Sequence, residues 1–448
     1  MTFEEFKPLV IRAAQAAGLK DYELYYAAAE SVSVSTFQHE VKEFSSSLEG
    51  GVSFRCLVNG RMGYASTERL DAEAAASLVR RAAENAASLE TEEQEFLAEG
   101  GKEYRSIERE GYALPEAAEL VKTALEGQNA LYAADPAVVD GCESEAITAR
   151  GVVAIVNSRG LDLKNENAMA GFVSAAVVSD GKEMSDSYKI HVGDPAKMDV
   201  PALAGKAVKE AKAKLGADVA PTGTYPVVFA GKAMASLLQT FASVFSAETA
   251  RKGLSRLLGK EGEKIAADCV TLTDDPFYPE SAAPRAFDGE GNPTYTKNVI
   301  EKGELMTLLH NMKSAAALGK ETTGNAARAS YDAAVDVRPF TFSLAPGPFS
   351  EAELLQKAGN GVYIDSLGGL HAGANPISGD FSLQSAGYMI EGGEKTRAVK
   401  SFTVAGNFYE LLKSITAVAD GVKLENTGSV TTFASPDALA EGLSIAGK

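Results

Sequence analysis

Four histidines, His39, His191, His310 and His371, and three cysteines, Cys56, Cys142 and Cys269, make up the stock of imidazole and thiol groups in this 448-residue chain. Zinc chemistry needs three or four His, Cys, Asp or Glu side chains in one shell. No histidine lies within five residues of another. His39-Glu40 is followed by Val41-Lys42-Glu43-Phe44, so no HExxH helix is completed, and the segment reads as a strand, where i and i+4 do not converge. A lone histidine of this kind reads as a structural or surface side chain. His371 stands out by its setting, a loop Gly368-Gly369-Leu370-His371-Ala372-Gly373 with Asp380 a short way on, a pair that could serve a hydrolase using a non-zinc site. The cysteines are far apart, each in or beside an apolar run, and read as small packed hydrophobes.

Other motifs carry less. No G-x-S-x-G elbow occurs, and Gly368-Gly369 and Gly392-Gly393 do not join a strand to a helix start as a phosphate-cradling loop must. Two acidic clusters are present, Thr273-Asp274-Asp275-Pro276 and Phe287-Asp288-Gly289-Glu290-Gly291; the second offers only two carboxylates, too few for a calcium loop, and reads as a turn. Thr322-Thr323-Gly324-Asn325 is polar and contains glycine; it could present backbone N–H groups to a peptide or an anion, or be a plain loop.

The elements that must hold these residues belong to an acidic protein. Lys and Arg total 43 against 61 Asp and Glu, a net charge of −18. Such a field repels polyphosphate and anionic lipid, so neither nucleic acid nor a membrane surface is an expected partner. The N-terminus has acids before its first base and no apolar signal core, and no stretch approaches the roughly 20 apolar residues of a membrane span. With cysteines suited to a reducing compartment, the expectation is a cytoplasmic protein.

Apolar residues at helical spacing predict helices over residues 3–18, 71–87, 115–126 and 201–215, with Asp71 as an N-cap and Gly216 as a C-cap. Strands are predicted at 22–26, 32–37 and 51–58, the last running into an Asn59-Gly60 hairpin turn, and at 146–157 and 170–178. The acid-rich stretch 90–111 reads as a solvated connector. The fold class is therefore α+β: two N-terminal α+β segments with the same order of elements, a possible duplication, at 1–98 and 112–218, then a β-rich domain with helical insertions at 223–448. Within that domain an apolar helical run covers 233–245, and a helix is predicted over 408–419.

From Gly253 onward the chain resembles a known family. LLGKEGEKIAADCVTLTDDP, AFDGEGNPTYTKNVIEKGEL and KETTGNAAR, with GTYPVVFAGKAMASLLQTF, SGDFS and the closing LSIAGK, are similar to the TldD/PmbA family, once called modulators of DNA gyrase and regarded as cytosolic peptidases acting as TldD–TldE pairs. The resemblance covers essentially the whole chain. It implies that a TldD-type member would carry a zinc-binding HExxxH helix after the strand at 225–230, with a late cysteine as a further ligand. Those HExxxH positions fall here on Gln239, Thr240 and Val244, and no cysteine follows Cys269. An amide, a hydroxyl and an isopropyl group replace two ligands and a general base. The resemblance thus implies the TldE (PmbA) branch: no metal and no cofactor in this chain, zinc in a TldD-type partner, and unfolded peptide as substrate. It makes the glycine-rich loops, with Thr323, Gly324, Asn325, His371 and Asp380, candidates for substrate contact. A homodimeric peptide-binding protein without catalysis, and a stand-alone hydrolase, are the alternatives.

Overall fold

The computed structural model describes residues 1–448 except 92, 108–110, 282 and 427–430. Helix α1 (Phe3–Ala16) starts at a reciprocal cap, in which the Thr2 hydroxyl accepts from the Glu5 amide and the Glu5 carboxylate accepts from the Thr2 amide. It buries Phe3, Phe6, Val10 and Ala14, one stripe at helical spacing. Strands β1 (Tyr22–Phe37), β2 (Glu40–Val58) and β3 (Arg61–Thr67) follow, then α2 (Ala72–Ser88), which Asp71 caps by accepting from the Ala74 amide at 2.8 Å. Asn59 and Gly60 both have positive φ, as the turn joining β2 to β3 requires.

The second segment repeats this order: α3 (Ala117–Ala134), β4 (Glu143–Asn157), β5 (Asp162–Ser179), β6 (Met184–Val192) and α4 (Val200–Ala213). Both segments build one six-stranded sheet, in the order β3-β2-β1-β4-β5-β6. β1 and β4 pair antiparallel from Glu23↔Asn157 to Ser35↔Glu145, so matching strands lie on either side of that central ladder. The repeated topology supports a duplicated unit. All four helices cover one face, through Leu24, Phe54, Leu78 and Val79 at one end and Phe172, Val178, Ala204 and Val208 at the other. The opposite face carries small and polar side chains, among them Ala27, Ala29, Gly151 and Asn167, and turns toward the rest of the chain.

The C-terminal domain opens with β7 (Gly223–Phe229) and α5 (Gly231–Phe241). β7 lies inside a six-stranded sheet with Gly361–Gly368, Asp380–Glu391, Glu394–Asn407, Ala438–Ala446 and Ile415–Val418. A second six-stranded sheet contains Leu272–Asp274, Lys297–Glu301, Thr341–Leu344 and Thr432–Ser435. α5 contacts strands of both sheets, and its Met234, Leu237, Leu238 and Phe241 are fully buried in the largest core. No helix among the described residues is long and apolar enough to cross a membrane.

Several expectations change. The strands predicted at 22–26 and 32–37 are one, because β2 and β4 hydrogen-bond to both sides of Ala27–Glu30 and override its weak strand propensity. Helix 233–245 breaks after Phe241 into a 3-10 turn, Ala242–Phe245, and helix 408–419 stops at Ser414 because Ile415–Val418 pairs with Ala438–Ala440. The connector is no solvated tether: Leu97 and Ala98 are buried, Tyr104 donates to the Gly291 carbonyl at 2.9 Å, and Lys102 donates to Asn292 at 2.7 Å. Its apolar residues, spaced among the glutamates, strap it to the C-terminal domain; Glu92, Glu108 and Glu110 lie outside the described residues.

Candidate functional site

The helix singled out by its motif is built for packing. Gln239 is exposed near the end of α5, Thr240 donates its hydroxyl to the Ser236 carbonyl at 2.8 Å, and Val244 is fully buried in the following 3-10 turn. The Val244 carbonyl accepts from the Ser255 hydroxyl at 2.6 Å, which fixes that turn. The four histidines sit on separate elements. His39 occupies the β1–β2 turn and its Nδ1 lies 2.8 Å from Asn129 Oδ1; the Nε2 of His191, on β6, is 3.0 Å from the Asp194 carbonyl; His310 is buried. His371 is exposed on the short helix Leu370–Gly373. Among the described residues no three His, Cys, Asp or Glu side chains converge as a metal shell. Cys56 and Cys142 are buried, whereas Cys269 is exposed, because it sits in a turn beside the exposed Asp268 rather than within an apolar strand.

The other candidates fall in two places. Thr323 and Asn325 are buried and committed to protein partners: Thr323 Oγ1 accepts from the His310 amide at 2.7 Å and lies 2.8 Å from Asn325 Oδ1. Asn325 donates to Asp274 at 2.7 Å and to the Arg338 carbonyl at 3.0 Å, and accepts from Lys297 at 3.1 Å. Gly324 has φ +67, and a Cβ there would meet the Pro293 carbonyl at 2.4 Å. This loop is an internal brace, and Asp274 of the first acidic cluster is its centre. Asp380 accepts from Asn407 at 2.8 Å, and among the described residues no hydrogen bond joins it to His371. Contact with substrate at these five residues remains a proposal.

The structure concentrates charge elsewhere, where the bare face of the N-terminal sheet meets the C-terminal domain. Arg55 on β2 donates to Glu23 on β1 through Nε at 2.7 Å and Nη2 at 2.9 Å. Arg328 reaches across from the C-terminal domain, donating Nη2 to Glu23 at 2.6 Å and Nε to the Gly289 carbonyl at 3.0 Å, with its guanidinium over the Tyr25 ring at 4.2 Å. Glu290 stands 4.0 Å from Arg55 and accepts from the Met312 amide; Asp288 accepts from the amides of Glu290, Asn292 and Ala326. All five side chains are buried. Burial pushes the Glu290 carboxyl up to about 7 and the Asp288 carboxyl up to about 6. The second acidic cluster is thus a turn, but an internal one. Alternation could have flagged Glu23 and Arg55, charged residues inside otherwise apolar strand segments.

Beside this joint runs a crevice. One cavity of about 400 Å³ has Ala27, Ala29 and Gly151 as its floor and Arg285, Arg328 and Tyr331 along the other side. It adjoins a cavity of about 520 Å³, which shares Asn165 and Asn167 with it, and one of about 1230 Å³, which shares Met169; both take Arg105 from the connector and Tyr112 just beyond it. The small floor residues leave room for an extended chain to approach the sheet backbone.

Comparison with known proteins agrees with this architecture. Residues 22–86, 112–215 and 222–447 match, in turn, domain 1, the central domain and the C-terminal domain of the PmbA/TldA metallopeptidases. The chain belongs to the PmbA/TldD family. It is 24% identical over 410 residues to the Haemophilus influenzae protein named "Metalloprotease PmbA homolog", covering 89% of this chain and 88% of that one. A Thermotoga maritima crystal structure, described as a modulator of a DNA gyrase, superposes with a TM-score of 0.89 at 30% identity, covering 99% of this chain and 100% of that chain. TldE from Thermococcus kodakarensis shares the fold, with a TM-score of 0.85 at 24% identity over 98% and 99% of the two chains. The family name implies a metal. The side chains of Gln239, Thr240 and Val244 do not fit one, since two lack a suitable donor and the third is sunk in the core.

Proposed function

We propose that this chain is a TldE (PmbA)-type subunit of a cytoplasmic TldD/TldE-type peptidase, without a zinc centre of its own, which pairs with a HExxxH-bearing paralogue and receives unfolded peptide. The observation that carries this reading is α5: at the positions where the resemblance places the metal machinery stand an exposed amide, a hydroxyl bonded to its own helix and a buried valine. The crevice supports the peptide part, because a sheet face floored by alanine and glycine accepts an extended backbone whatever its side chains. The net charge of −18 speaks against DNA as the ligand. The test is co-expression with the HExxxH paralogue of the same organism. The reading expects a stable complex that hydrolyses unfolded peptide, with zinc and activity lost together when the paralogue's motif is mutated. Peptidase activity from the isolated, metal-stripped chain would overturn it.

A further inference from the structure

The geometry points to a carboxylate-binding site in the cavity of about 400 Å³, with Arg285 as the receptor for a carboxylate carried by a peptide lying on the sheet floor. The inference rests on the peptide reading above and specifies which group of the peptide is held.

Acids outnumber bases 61 to 43 in this chain; Arg105, on the adjoining cavities, lies over the Phe277 ring at 4.3 Å, Arg150 beside the crevice is exposed, and Arg55 and Arg328, buried at the joint, are paired with Glu23. Arg285 is not. It forms no ion pair with the described residues, its guanidinium lies 5.7 Å from the Phe340 ring centroid, and its Nε is buried without a hydrogen-bond partner. Desolvation disfavours its charged form, and no carboxylate among the described residues pairs with it to offset that cost. A planar guanidinium with free N–H groups is matched by a carboxylate, which it can bind with two parallel hydrogen bonds.

The surroundings fit a peptide better than a polyanion. Ala27, Ala29 and Gly151 leave the sheet backbone open, and Asn167, on the same face, is half-buried and its amide has no hydrogen-bond partner among the described residues. Tyr331 walls the cavity, packed over Gly51 and donating its hydroxyl to Glu68 at 2.9 Å. Glu49 lies opposite Ala29 on the same floor and would repel a phosphate chain.

The carboxylate has two possible sources, a peptide C-terminus or an Asp or Glu side chain. The experiment titrates the full chain, by fluorescence anisotropy, with a labelled, alanine-rich, unstructured pentapeptide in three forms: free acid, C-terminal amide, and amide with one internal glutamate. Free acid binding best identifies the terminus; the glutamate amide binding as well identifies the side chain. Either peptide should lose about tenfold or more in affinity with Arg285→Gln, the scale of a charge-assisted hydrogen bond. Arg285→Lys should recover part of that loss. Ala29→Phe, which fills the exposed floor and leaves Arg285 itself unchanged, should weaken all three peptides, so the test survives a misfolded Arg285 variant. Equal binding of all three forms, an unchanged affinity in Arg285→Gln, or tighter competition by inorganic phosphate than by acetate would each overturn the carboxylate site while leaving the subunit reading intact. Failure of both the chain and its complex with the paralogue to bind any form would overturn both.

Discussion

β2 and β5 occupy matching places in the two halves of the N-terminal sheet, each flanking a central strand, yet they face the C-terminal domain with opposite degrees of commitment. At the joint end of β2 the polar groups on that face are taken: Arg55 grips Glu23, and Ser53 lies 3.4 Å from Arg328. On β5 the corresponding polar groups are mostly free, with Asn165 donating one bond to the Pro284 carbonyl at 3.3 Å and Asn167 donating none. One side of a repeated unit has become a joint and the other has been left as a crevice. In a symmetric scaffold, rigid positioning of the domains and room for a ligand need not compete for the same residues.

Removing the shared carboxylate should have the largest effect on this contrast. Glu23→Gln strands two buried guanidinium groups and should cost about 3–5 kcal/mol, read as a lower urea midpoint. A loss below 1 kcal/mol would mean that the joint does not hold the domains. Thr323→Val comes next: it removes hydrogen bonds inside the Asp274–Asn325 brace and should cost about 1–3 kcal/mol without altering peptide binding. A change in peptide affinity at equal stability would instead return that loop to the binding surface.

Glu290 gives a sign-specific test. Its folded carboxyl is raised to about 7, above the unfolded value, so its contribution is fully present below the unfolded pKa and is lost as pH rises through about 7. The difference in unfolding midpoint between the native chain and Glu290→Gln should therefore change between about pH 4.5 and pH 7.5, the native chain losing ground as pH rises. A difference independent of pH over that window would contradict a proton held there. The smallest effect belongs to β5: Asn167→Ala should leave stability within about 0.5 kcal/mol, because no intramolecular bond is lost. A loss above 1 kcal/mol would mean that the amide is structural and that the two strands are less different than described.

Local chemistry was readable from the sequence wherever it acts over a few residues. Asp71 and the Asn59-Gly60 turn mark the boundaries they were expected to mark, since caps and turns depend on near neighbours, whereas the helix expected to run to Gly216 ends at Ala213 with Lys214 as its cap. The repeated order of elements was readable too, but not that both units share one sheet, which depends on the long β1–β4 ladder. Gln239, Thr240 and Val244 were picked out by the family resemblance alone, since no spacing in this sequence marks them. Arg328 meets Glu23 across 305 positions of chain, and the absence of a partner for Arg285 is a property of three-dimensional surroundings that no spacing records. Sequence left Thr322–Asn325 open between a plain loop and a binding element, because a polar, glycine-containing segment looks the same either way; its hydrogen bonds to Asp274, Lys297 and His310 emerge only in three dimensions.

The most direct test of the central claim is a paired measurement of zinc content and peptidase rate, on this chain alone and on its co-purified complex with the HExxxH paralogue. The account predicts substoichiometric zinc and no turnover for the chain alone, with both appearing in the complex and both abolished by mutating the paralogue's motif. Stoichiometric zinc together with turnover in the isolated chain would contradict it.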